Sequence, residues 1–136
     1  MLQEIVAREL DVELGPYRHL VGSLHLYEDS INAAQSYLTE GVQSSLAMPP
    51  MPKGSQWPYI SKVLAAEGQV RLGDFTGAID ASLPSYWQDL IRLLIAFESR
   101  GDAPAIDDLI AGMESPIYRT YLQRWKGLGP RKAGKD

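Results

Sequence analysis

Five side chains that can bind a hydroxyl or hold a proton alternate along one short stretch: Tyr17, His19, Ser23, His25 and Tyr27. Both histidines of the chain lie in it. In an extended segment, residues of one parity share a face. That face then carries two imidazoles and three hydroxyls, a row of donors and acceptors near neutral pH. The other parity carries Leu20, Leu24 and Leu26. The chemistry this suggests is recognition of a sugar or another hydroxyl-bearing ligand, with His25 and Tyr27 gripping one hydroxyl side by side. A nucleophilic triad is not suggested, because no acid is placed to orient either imidazole. The same letters also describe a solvent-facing strand whose polar side has no function.

The elements that would position these groups follow from periodicity. Alternation predicts a strand over about 17–27, opened by the turn at Gly15-Pro16. Full burial of each leucine is worth roughly 1.5–3 kcal/mol, which sets the register. A one-residue slip would bury the histidines and expose the leucines. Leu2, Ile5, Val6 and Leu10 predict a helix over 1–10. It has no N-cap, which raises the expectation that the chain begins inside a longer helix. Asp29 or Ser30 caps a helix to about Val42, with Ile31, Ala34, Tyr37 and Leu38 on one face. Four prolines within 47–58 mark a connector. Helices are then expected from Ser55 or Pro58 to Leu72, and over the run LPSYWQDLIRLLIAFESRG. Two more run from Asp102 to about Met113 and from Ser115-Pro116 to Lys126. GDFTGAID (73–80) echoes GDAPAIDDL (101–109), either a repeat or two ordinary helix–GD–helix hairpins.

Composition narrows the function. The chain has 136 residues, 45% of them hydrophobic, enough for the core of one domain. A net charge of -4 argues against non-specific nucleic-acid binding, which needs a basic face. The absence of cysteine removes disulfides, thiolate metal sites and a cysteine nucleophile. Two histidines without HExxH-like spacing do not suggest zinc. No stretch approaches the ~20 apolar residues of a membrane span, and the N-terminus lacks signal-peptide character. A cytoplasmic protein is the expectation.

Glu13-Leu14-Gly15 followed by Gly22-Ser23-Leu24-His25-Leu26-Tyr27 resembles a stretch of the thymidylate synthases and deoxypyrimidylate hydroxymethylases. The preceding MLQEIVARELDVEL is similar to the helix that leads into that family's strand, so the likeness covers about residues 1–40. The resemblance implies that His25 and Tyr27 bind the 3′-hydroxyl of a pyrimidine deoxynucleotide, dUMP or dCMP, with Ser23 beside them and His19 and Tyr17 as further candidates. It implies a methyl or hydroxymethyl transferase that uses methylenetetrahydrofolate and attacks pyrimidine C6 with a cysteine thiolate. This chain has no cysteine, and the family's phosphate-binding arginines lie upstream of the matching region. Asp29-Ser30 stands where Asn-His is usual. The expected fold is therefore α+β: a mostly helical fragment with one main strand of a thymidylate synthase-like sheet.

The resemblance also implies an organisation. Residues 1–46 form the thymidylate synthase-like segment, 47–58 the connector, 59–126 a helical appendage and 127–136 a disordered basic tail. Such a chain is inactive alone and binds no cofactor by itself. It needs an N-terminal half or a homodimer partner, and late initiation, a split gene or decay would each account for it.

The alternative is a non-enzymatic module whose helices at 57–126 bind another protein. Trp57, Trp87 and Trp125 are either stacking sites or, as the spacing around Trp87 favours, core. The pairs Glu28-Asp29 and Asp107-Asp108 are expected to be solvated caps. The basic end, Arg119, Arg124, Lys126, Arg131, Lys132 and Lys135, faces solvent or an acidic partner.

Overall fold

A computed structural model describes residues 1–41 and 47–126. Six helices are found among them: α1 (Leu2–Glu9), α2 (Ile31–Glu40), α3 (Trp57–Arg71), α4 (Ser85–Glu98), α5 (Ala103–Gly112) and α6 (Pro116–Trp125). Each lies where helical periodicity predicts one. Prolines open α3, α5 and α6, where their missing N–H has no intrahelical partner to lose. The Asp102 carboxylate caps α5 by accepting from the Ala105 N–H at 3.1 Å. Gly101, at φ 101°, makes the left-handed turn between α4 and α5.

No strand exists among the described residues, and this corrects the α+β expectation. The segment over 17–27 is neither helix nor strand. A strand must share its N–H and C=O groups with a neighbour and lay one face on a core. Among the described residues every other periodic segment is committed to a helix, so none of them offers a second strand. Alternation without a pairing partner does not make a strand. The leucine face is corrected with it: Leu20, Leu24 and Leu26 are 94%, 89% and 62% exposed.

The chain separates into two units, Gly15–Ala47 and Met1–Leu14 with Met48–Asp136. One cut falls at the start of the proline-rich stretch. The other, at 14/15, parts α1 from the segment it was expected to lead into. The expected basic tail at 127–136 and the last residues assigned to α2 lie outside the described residues.

The smaller unit contains a 3-10 turn, Glu28–Ser30, followed by α2. Ser30 occupies the N-cap position, but its hydroxyl donates to Asp29 rather than capping the helix. The predicted apolar face, with Ile31, Tyr37 and Leu38, is exposed.

The larger unit is built around α4, whose apolar residues occupy two faces. Tyr86, Trp87, Ile91 and Ile95 pack with Ala66 and Val70 of α3, Ile5 of α1 and Met51. Ala96 joins Ile106 of α5, Met113, and Tyr118 and Leu122 of α6 in a second cluster. Leu90 and Leu109 touch both. A helix apolar on two faces is a central helix. The 73–80 echo is not a structural repeat. Residues 72–84 form turns, whereas 103–112 are helical. That loop is pinned by Lys62, whose Nζ donates to Asp80 at 2.7 Å and to Ser82 at 2.9 Å. The Lys62 ammonium beside Asp80 holds its carboxyl well below the usual range.

Candidate functional site

The five sequence-predicted site residues all lie in the non-helical segment and all face solvent. Ser23 and His25 come together, with Ser23 Oγ 2.8 Å from His25 Nε2. Either group donates, according to the imidazole tautomer. Tyr17 and His19 meet edge to face, with ring centroids 6.0 Å apart. Tyr27 has extended backbone and leads directly into the 3-10 turn, its carbonyl accepting from the Ser30 N–H at 3.0 Å. The turn holds one end of the stretch; Gly15-Pro16 begins the other.

This arrangement can recognise but is poorly built to catalyse. A serine hydroxyl becomes a nucleophile when its base is oriented and shielded from water. Among the described residues no carboxylate pairs with either imidazole, and the Ser23–His25 contact is open to solvent. What remains is a set of exposed hydroxyls and imidazoles along one non-helical segment. No three-residue group of His, Asp or Glu among the described residues is disposed to hold a metal ion.

The two most deeply buried polar residues, Asp89 and Gln56, were missed from the sequence. Asp89 is 1% exposed, in the middle of α4. Its Oδ1 accepts from Arg92 Nη1 at 2.9 Å and from the Glu114 N–H at 3.1 Å, and Oδ2 from the Ser115 N–H at 2.8 Å. Arg92 Nη2 donates to Gln88 at 3.1 Å. A Cβ on Gly112 would stand 3.2 Å from Arg92 Nε, so glycine leaves room for the guanidinium. A buried carboxylate with this many donors is structural: it ties α4 to the residues entering α6. An acid followed three positions later by arginine, inside a helix otherwise apolar on two faces, was the available signal.

Gln56 is wholly buried. Its Nε2 donates to the carbonyls of Pro52 (2.8 Å) and Gly54 (2.6 Å), and its Oε1 accepts from Trp87 Nε1 at 3.1 Å. Trp87 is thus core, as its spacing predicted, while Trp57 is exposed. Trp125 lies 5.2 Å from the Tyr121 ring and 6.2 Å from Phe97. Asp107, expected to be a solvated cap, pairs with Lys126 at 2.5 Å.

Grooves in the larger unit are lined by other residues than the predicted site. An open groove of about 410 Å³ runs between α1, α3 and α4, walled by Ile5, Ile60, Leu64, Trp87 and Leu94 among others, all apolar. A smaller one, about 290 Å³, lies beside Glu67, Arg71 and Phe97. Among the described residues no helix is long and apolar enough to cross a membrane. No family model and no curated protein matches this chain.

Proposed function

We propose that this chain supplies the deoxyribose-binding side chains of a thymidylate synthase-like enzyme, which transfers a methyl or hydroxymethyl group to C5 of dUMP or dCMP. His25 and Tyr27 hydrogen-bond the 3′-hydroxyl, with Ser23 orienting His25, and His19 and Tyr17 lie close by in sequence. The observation that carries the proposal is the run Glu13-Leu14-Gly15 with Gly22 to Tyr27, on a segment whose hydroxyls and imidazoles are open to a ligand. Its uncovered leucines support the same view, since an apolar stretch this exposed suits a surface that a second polypeptide covers.

The chain is inactive alone in this proposal. Attack on pyrimidine C6 needs a thiolate, and these 136 residues contain no cysteine. The thiol, the phosphate-binding arginines and the methylenetetrahydrofolate site therefore come from a separate N-terminal half, because a second copy of a chain without cysteine has no thiol to give. A cytoplasmic location goes with that chemistry.

Mixing provides the test. The purified chain is expected to form no dTMP from dUMP and methylenetetrahydrofolate. Added to a cysteine- and arginine-bearing N-terminal half of a thymidylate synthase, it is expected to restore turnover. His25→Ala or Tyr27→Phe then raises the nucleotide KM by a factor of about 2–10, the worth of one neutral hydrogen bond. Turnover by the chain alone, or unchanged KM in both variants, overturns the proposal.

The groove between α1, α3 and α4 favours a second reading, a non-enzymatic module that takes the apolar face of an amphipathic helix. Leu64, 64% exposed on its rim, is the residue to change. Leu64→Asp would abolish capture of such a helix while leaving nucleotide binding untouched.

A further inference from the structure

We propose that α1 is a detachable strap forming one removable wall of the apolar groove, held down by two glutamate clamps. Glu4 and Glu9 reach from α1 to the proline-rich stretch 47–58. Glu4 Oε1 accepts from the Met51 N–H at 2.8 Å, and Glu9 Oε1 accepts from the Gln56 N–H at 2.7 Å. Arg8 lies 3.5 Å from Glu4 and holds that carboxylate in place. These are hydrogen bonds to charged acceptors, stronger than neutral ones. They also satisfy backbone donors in a stretch whose prolines prevent regular pairing.

The apolar hold is slight by comparison. In its eight residues α1 buries Ile5 and Ala7, whereas α4 buries the apolar Tyr86, Trp87, Ile91, Ile95 and Ala96. An isolated helix of eight residues is well below the ~12–15 that persist in water, so α1 is helical only while it is docked. Its far end stores a further cost. Asp11 sits at φ 51°, in the left-handed region. It follows the Leu10 C-cap and closes the helix in the left-handed conformation, with the Val12 N–H donating to Ala7 O at 3.0 Å and the Asp11 N–H to Arg8 O at 3.4 Å. Glycine is the usual residue there, and aspartate is less comfortable. Undocking therefore melts one short helix, relaxes one strained residue and breaks two clamps. The hydrogen bonds of Asp89, to Arg92, Glu114 and Ser115, involve no residue of α1 and are left whole.

The consequence is a groove of variable size. Met1 and Ile5 line it when α1 is docked. With α1 released, Met51, Tyr86 and Trp87 lose the cover of Ile5 and join the exposed apolar surface. The device does not depend on what the groove binds.

Hydrogen exchange on the full chain at neutral pH tests this. The amides of residues 5–9 are expected to exchange at least about tenfold faster than those of α4, through an opening that low denaturant does not accelerate, the signature of a local unit. Glu9→Ala is expected to speed exchange in α1 several-fold further and leave α4 unchanged. Glu9→Gln, which keeps an acceptor oxygen, falls between. Exchange of α1 in step with α4 across denaturant concentrations overturns the proposal without any variant. So does a Glu9→Ala effect of equal size in both helices.

Discussion

Leu24 and Leu122 are the same residue in opposite circumstances. Leu122, on α6, is completely buried, while Leu24, in the segment 15–30, is almost completely exposed. Both sit in stretches with regular apolar spacing. The difference is whether complementary surface covers them among the described residues. In the larger unit, α4 presents apolar residues to α3 on one face and to α5 and α6 on the other, so each neighbouring stripe finds a partner. In the smaller unit neither the leucines nor the apolar face of α2 is received. Amphipathic patterning states that a face wants burial; only complementary surface delivers it.

That contrast can be broken at several points. The largest effect is expected at Asp89. Asp89→Ala removes the acceptor of two backbone N–H groups and leaves Arg92 half-buried without its carboxylate, a loss of about 3–5 kcal/mol. Denaturant unfolding measures it, and a loss below about 1 kcal/mol would show the network to be dispensable. Next is Leu122→Ala, which empties a fully covered site and costs about 2–5 kcal/mol.

Alkaline pH probes the same bundle through its tyrosines. Burial pushes Tyr86 up to about 12, with the nearby Tyr118 and Glu4 adding to it, and burial also raises Tyr118. In the unfolded chain both ionise near 10. The folded state therefore binds more protons above that point. The stability they contribute is whole below pH 10 and is lost as pH rises through about 12. The denaturation midpoint is expected to decrease as pH is raised from about 10 to about 12, and less steeply in Tyr86→Phe.

The smallest effect sharpens the comparison best. Leu24→Ala is expected to change stability by less than about 0.5 kcal/mol, as for any exposed site. Brief trypsin treatment should cut after Arg18 before any site in α3 to α6. A stabilising role for Leu24 would contradict its exposure, and early cleavage inside α4 would contradict the packing of that helix.

The sequence by itself determined the helices. The spacing of Tyr86, Trp87, Leu90 and Leu94 defines α4, Pro58, Pro104 and Pro116 mark helix starts, and Asp102 caps α5. These signals are local, carried by residues three or four apart or by a single backbone requirement, so one chain read in order contains them. The strand over 17–27 failed for the opposite reason: pairing is decided by a second segment, and alternation says nothing about whether one exists. The chemistry was legible as residue types, because both histidines and their hydroxyl neighbours share eleven positions. Their exposure, and the Ser23–His25 contact, were not. Only the tertiary structure decided that Asp89 and Gln56 would be buried, because Glu114 and Ser115, which donate to Asp89, and Trp87, which donates to Gln56, are brought to them by packing across the sequence.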